Sequence, residues 1–279
     1  MIQRIITGIL LIAYAFGLIA LGAWYPIAVD LLIYSFMLLC IYEMLHSLKE
    51  GGYKPYGFFP SALGIASLPM AYFFNITGVV VTLAVCLLAV MIQFVFSKTK
   101  SLNDLTATIF TMIYPTIFIS LAFVITREFN AVYIACLILL VPIFSDTFAY
   151  FTGRTFKGPK LCPAISPKKT VSGAVGGVLG GTFGASVVYL LFDYFAVFGA
   201  TIAAPVLTGN RVYNLLIYLA IGFVGSILSQ FGDLFASRIK RSIGIKDFGK
   251  IFPGHGGGLD RLDSVMFMLV TLFVVFSFV

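Results

Sequence analysis

The chain has 279 residues, of which 60% are hydrophobic and only 10% charged, with a mean hydropathy of +1.05. Soluble domains carry about 25% charged residues, so a water-facing surface is excluded. Disordered, collagen-like and disulfide-scaffold classes fail too, because apolar residues abound, the 27 Gly keep no triplet period and four Cys are sparse. An all-α polytopic membrane protein remains. Its net charge of +7 therefore bears on bilayer orientation, and no nucleic-acid partner is expected from it.

A bilayer-crossing helix needs about 20 mostly apolar residues. Such runs are predicted over 5–22, 26–46, 58–75, 77–97, 104–125, 130–151, 171–194, 211–237 and 261–279, about nine transmembrane helices. The first lacks a small-residue cleavage site and leads into further spans, so it reads as a helix rather than a signal peptide. Only Asn75-Ile76-Thr77-Gly78 divides the third from the fourth. With the N-terminus inside, the inner segments are 1–4, 47–57, 98–103, 152–170 and 238–260. These and the adjoining helix ends hold sixteen of the eighteen Lys and Arg, leaving Arg127 and Arg211 outside. A count wrong by one helix would scatter those charges, so the N-terminus is expected to be cytoplasmic and the C-terminus outside. Trp24 and Tyr25 then fall at an outer interface. Cys40, Cys86, Cys136 and Cys162 show no CxxC spacing and read as small packed hydrophobes. There is no solenoid period and no inverted repeat. Residues 1–129 form an N-terminal hydrophobic region of five spans, and 130–279 a catalytic region of four spans with two polar inner loops.

The acids mark the chemistry. Asp146 and Asp233 lie near the inner ends of the sixth and eighth spans, beside small and hydroxyl residues. A carboxylate within a span costs a few kcal/mol on insertion scales and usually has a partner. Asp30 and Glu43 are in-span acids as well, for which an interhelical hydrogen bond or salt bridge explains as much as function does. Asp233, Ser237 and Arg241 follow at i, i+4 and i+8 with Lys240 at i+7, the wall of a polar cavity. Asp260 and Asp263 open the ninth helix, where capping is the alternative reading. Before them, four glycines surround His255 and let backbone N–H groups approach a ligand. His255 reads as a general base, a loop-packing residue or a phosphate contact. The two inner loops share one face and are expected to form one site. Their cations, with acids beside them, suit a polyphosphate and a divalent metal.

Other motifs are absent. Gly249-Lys250 is followed by Ile251, so there is no P-loop, and no Cys/His spacing suits zinc. Ser166-Pro167-Lys168-Lys169-Thr170-Val171-Ser172-Gly173 opens the seventh span with cations and hydroxyls at a helix N-terminus. Glycines then recur every fourth residue, at 173, 177, 181 and at 176, 180, 184, and read as close helix packing.

The stretch Ser237-x-Ile239-Lys240-Arg241-x4-Lys246-Asp247-x-Gly249-x2-Phe252-Pro253-x-His255-Gly256-Gly257-x2-Asp260-Arg261-Leu262-Asp263 resembles the signature of phosphatidate cytidylyltransferases (CDP-diacylglycerol synthases). Two upstream blocks agree: Asp146-x2-Ala149-Tyr150-x2-Gly153 and Ser166-Pro167-Lys168-Lys169-Thr170. Gly258 and Ser172 depart, standing where the family usually has a larger apolar residue and often a Glu. The resemblance implies a Mg²⁺-dependent reaction of CTP with phosphatidic acid at the cytoplasmic face of a bacterial membrane, giving CDP-diacylglycerol and pyrophosphate. It implies Asp233 and Asp260 as Mg²⁺ ligands, with Asp146 or Asp263 completing or orienting the metal site and a second cation left open. Lys168, Lys169, Lys240, Arg241 and Arg261 would bind phosphates. Ser166, Thr170, Ser237, Lys246, Asp247, His255, Gly256 and Gly257 would complete the substrate site. Small-residue stripes permit a homodimer, as in the family. A membrane CTP-dependent kinase and a transporter are the rival classes.

Overall fold

The computed structural model of the chain describes residues 2–197, 210–254 and 256–278. They form helices α1 (Ile2–Leu21), α2 (Ile27–Glu50), α3 (Phe58–Val95), α4 (Leu102–Thr111), α5 (Phe118–Glu128), α6 (Ala131–Phe156), α7 (Val171–Val188), α8 (Arg211–Ser242) and α9 (Leu259–Phe276). π-Helical turns at Met112–Ile117 and Tyr189–Tyr194 join α4 to α5 and extend α7. By length and composition, six of the described helical stretches suffice to cross a membrane, counting Leu102–Glu128 as one. The helical membrane architecture read from composition therefore stands. A small addition is an antiparallel hairpin between α6 and α7, β1 (Lys160–Cys162) with β2 (Ser166–Thr170), Lys160 facing Thr170 and Cys162 facing Ser166.

α3 is two helices in one. Its 38 residues break at Asn75, whose φ of 54° and ψ of −147° are not helical. A straight helix would set Phe59 and Val90 about 46 Å apart, yet both belong to one buried cluster with Leu63, Cys86, Leu105 and Met112. Gly78 confirms the reversal, since a Cβ there would overlap the Met70 carbonyl eight residues back. The short turn predicted at 75–78 is real. Elsewhere helices outrun the predicted spans at their polar ends: α2 reaches Glu50 and α8 reaches Ser242. Hydropathy marks where apolar residues stop, whereas backbone hydrogen bonding continues into polar surroundings.

The chain divides into two compact units. The first comprises Met1–Ile19, Ile27–Arg127 and Lys240–Leu262. In it, Asp30 of α2 accepts a hydrogen bond from Thr126 Oγ1 of α5 at 2.6 Å, the interhelical bond that was one of its two readings. Ser101 and Asp104 cap α4 reciprocally. Lys54 N donates to Asp104 Oδ1 at 2.6 Å and fastens the loop after α2 to that cap.

The second unit comprises Ala20–Pro26, Glu128–Ile239 and Asp263–Val279. α6 starts on Asn130, whose side chain accepts from the N–H groups of Val132 and Tyr133. α7 packs on two neighbours through its glycines. At Gly180 and Gly184 a Cβ would press on the α6 carbonyls of Phe144 and Leu140, and at Gly181 on Ser226 of α8. The four-residue glycine rows are thus helix contacts, as their spacing predicts. Beyond them Tyr133 packs edge-on against Phe192, Tyr218 and Phe276.

Candidate active site

In the second unit, α6, β2, α7 and α8 enclose a cavity of about 360 Å³. Its polar lining includes Asp146, Arg154, Lys168, Lys169, Thr170 and Gln230, and Ala149, Leu161 and Ala174 make apolar wall. The hairpin explains how two successive lysines arrive there: β2 carries them to the first turn of α7, where Thr170 caps the helix by accepting from Gly173 N at 3.1 Å. Gly153 and Gly173 let α6 and α7 close at this point, because a Cβ on either would crowd Thr170 Oγ1. Lys169 Nζ meets Asp233 Oδ2 at 2.5 Å. Asp146 lies within electrostatic reach of both. Ser237 Oγ donates to Asp233 Oδ1 at 3.4 Å, one helical turn on.

Other predicted residues of this unit stand apart from the cavity. Ser166 pairs with Cys162 on the hairpin. Asp263 is buried, and its Oδ1 accepts from Ser264 N at 2.7 Å; its carbonyl packs at Gly232. Ser172, the departure from the family pattern, donates to the Lys157 carbonyl and fastens the start of α7 to the end of α6. Two polar lining residues, Arg154 and Gln230, were not singled out from sequence. Arg154 donates to Tyr150 Oη at 2.8 Å, and Gln230 Nε2 donates to the Ala174 carbonyl at 3.2 Å. A glutamine three residues before Asp233 in an apolar helix was the available signal.

The first unit holds the second cluster. Lys240 Nζ contacts Asp260 Oδ1 at 2.7 Å, with side chains only 12% and 8% exposed. Asp260 Oδ2 accepts from Phe248 N at 2.9 Å and Gly257 N at 3.1 Å. Asp260 thus binds a lysine and gathers its own loop. Gly256, at φ 85°, supplies the backbone that closes the turn from Phe252 N to the Gly256 carbonyl. Gly258, the second departure, packs on Leu39 of α2, where a Cβ would overlap. Arg241, Lys246, Asp247 and Arg261 are exposed on this unit. His255 lies outside the described residues.

The donors present suit Mg²⁺ in a particular way. Among the described residues no group of three or more His, Cys, Asp or Glu could hold a metal. Mg²⁺, however, is usually held by one or two carboxylates, with substrate phosphates and water completing its shell. Asp233 already accommodates a cation, the Lys169 ammonium, with Asp146 in electrostatic reach. Asp260 does the same with Lys240. These carboxylates fit an ion shared with a phosphate substrate, and do not form an all-protein cage.

The profile of the Cytidylyltransferase family matches residues 2–279. The chain is 35% identical over 166 residues to a phosphatidate cytidylyltransferase of Thermotoga maritima, covering 60% of this chain and 57% of that protein. It is 40% identical over 131 residues to one of Rickettsia conorii, covering 47% and 52%. It is 39% identical over 147 residues to one of Staphylococcus aureus, covering 53% and 50%. The matches thus span about half the length of these curated relatives.

Proposed function

Since the chain belongs to the cytidylyltransferase family, we propose that it transfers CMP from CTP to phosphatidic acid, producing CDP-diacylglycerol and pyrophosphate. A phosphate oxygen of phosphatidate forms a bond to the α-phosphorus of CTP. The bond from that phosphorus to the oxygen bridging to the β-phosphate breaks, and its electron pair leaves on pyrophosphate. The nucleophile is already an anion, so no strong base is needed. The carrying observation is the cavity that combines Arg154, Lys168 and Lys169 with apolar wall. That mixture suits a phosphate attached to a lipid. Its cations neutralise charge on the reacting phosphates and orient them for in-line attack.

Lys240, Arg241 and Arg261 are proposed as further phosphate-binding groups. Ser166, Thr170, Ser237, Lys246, Asp247, His255, Gly256 and Gly257 are proposed as lesser substrate contacts. Mg²⁺ is proposed as the cofactor, with Asp233 and Asp260 as its carboxylate ligands, Asp146 or Asp263 in support, and a second cation open. When bound, the ion supplies charge neutralisation on the triphosphate. Catalytic chemistry is assigned to 130–279, and 1–129 forms the hydrophobic region.

The proposed topology has nine crossings, counting α3 twice, with the N-terminus cytoplasmic and the C-terminus outside. The polar loops then face the cytoplasm of a bacterial cell. A homodimer is retained from the family resemblance alone, because the α7 glycines at 180, 181 and 184 already pack within this chain. Analysis of the co-product tests the reaction: pyrophosphate supports it, whereas CDP would identify a kinase.

A further inference from the structure

Glu43 is a buried carboxylate on α2, 1% exposed. Its Oε2 accepts a hydrogen bond at 2.9 Å from Leu259 N, the first residue of α9 and 216 positions away. Its Oε1 has no hydrogen-bond partner among the described residues. Backbone closes around it, since a Cβ at Gly249 or Gly257 would overlap the carboxylate. One helical turn on, Ser47 Oγ donates to the Phe248 carbonyl at 2.9 Å. The same loop is gathered from within by Asp260, through Phe248 N and Gly257 N. Helix α2 therefore holds both ends of the 248–259 segment, and the Lys240–Asp260 pair sits on what it holds.

A buried carboxylate is costly unless hydrogen bonds offset it, and here the offset is an acceptor role toward the backbone of another element, Leu259 N. A helix N-terminus is ordinarily capped by its own preceding Ser, Thr, Asp or Asn. Here the preceding residue is Gly258, and Leu39 leaves no room for a side chain. The carboxylate from α2 takes over that capping task, and the positive end of the helix dipole favours it. We propose that Glu43 is a positioning residue for the transferase reaction. It fixes the 248–259 loop and thereby the Asp260 carboxylate and Lys240 ammonium. This inference rests on the cytidylyltransferase reading for the reaction, and on geometry alone for the loop.

The test compares wild type, Glu43→Ala, Glu43→Gln and Ser47→Ala as detergent-purified full chains, by amide hydrogen exchange and by CDP-lipid kinetics. Glu43→Ala is expected to speed exchange across 248–259 by about tenfold or more while peptides of α6 and α7 stay unchanged. It should lower kcat about tenfold or more and leave KM for phosphatidate within about twofold. Glu43→Gln keeps an acceptor for Leu259 N and should restore protection and bring kcat to within about threefold of wild type. Ser47→Ala should speed exchange at the Phe248 end only. Unchanged loop protection in Glu43→Ala overturns the proposal, as do equal losses in the Ala and Gln variants or deprotection throughout the chain. Should Glu43→Ala not fold, the other two variants decide: normal kinetics in Gln with local loosening in Ser47→Ala supports it, and any other pair of results refutes it. A wild type that forms no CDP-lipid would sink the reaction, and the exchange data would still judge the loop.

Discussion

The two lysine–carboxylate pairs differ in how much water they keep, and this separates their expected roles. Lys169 and Asp233 retain 28% and 34% exposure, so their pairing adds at most about 1 kcal/mol to stability. Lys240 and Asp260 retain 12% and 8%. Removing one partner of a pair that dry strands the other charge, at a cost of about 3–5 kcal/mol. Lys169→Ala is therefore expected to leave the thermal midpoint in detergent nearly unchanged while CDP-lipid turnover falls about 100-fold. Lys240→Ala should lower both. Asp233→Asn and Asp260→Asn should each reduce Mg²⁺-dependent turnover about 100-fold or more, the first with the thermal midpoint nearly unchanged and the second, like Lys240→Ala, with a lowered one. Near wild-type turnover in purified Asp260→Asn would remove it from the metal set.

Sequence alone could name these carboxylates but not their partners. Helical spacing set Ser237 beside Asp233, which holds at 3.4 Å. It also set Lys240 on that stripe, yet the cation on Asp233 is Lys169, from a hairpin with no apolar alternation to announce it. Asp30 and Glu43 were indistinguishable as lone acids in one apolar run. One ties α2 to α5 through Thr126, and the other reaches a loop some two hundred residues on. Hydropathy registers the cost of such a carboxylate and carries no trace of what offsets it.

Among the elements, α7 shows the tightest link between composition and packing. Its glycines bring backbone against backbone, and a larger residue must push helices apart. Gly180→Leu is expected to destabilise by about 1–3 kcal/mol or more, because its Cβ would meet the Phe144 carbonyl and the Phe148 side chain. Gly17→Leu on α1 is the control, since nothing lies within 4 Å of a Cβ there. Thermal unfolding in detergent should separate the two, and equal midpoints would contradict the packing role. The glycine rows were legible because period four is a backbone property. The reversal in α3 was only half legible, as four residues of weakly polar turn separate two runs that hydropathy would merge. Asn75 makes the turn through a positive φ, an event that leaves little mark on composition.

At the scale of the whole molecule, charge distribution carries the expected topology. Sixteen of eighteen cations fall on the segments expected inside, and many of them flank the loops that carry the acids. In the proposed topology part of the +7 is topogenic, and part is available to phosphates. Single cysteines introduced at Lys100 and Lys246 should react with an impermeant maleimide only from the cytoplasmic side. Those at Arg127 and Arg211 should react only from outside. Mixed labelling would overturn the nine-crossing topology and leave the two side-chain clusters as described.

The reaction itself is most directly tested by following the two ends of the triphosphate separately. Purified protein would be incubated with phosphatidic acid, Mg²⁺ and CTP labelled at either the α- or the γ-phosphorus. Cytidylyl transfer predicts α-label in a lipid-extractable product and γ-label in aqueous pyrophosphate. Lipid-bound γ-label, or no lipid-bound label from a folded protein, would contradict it.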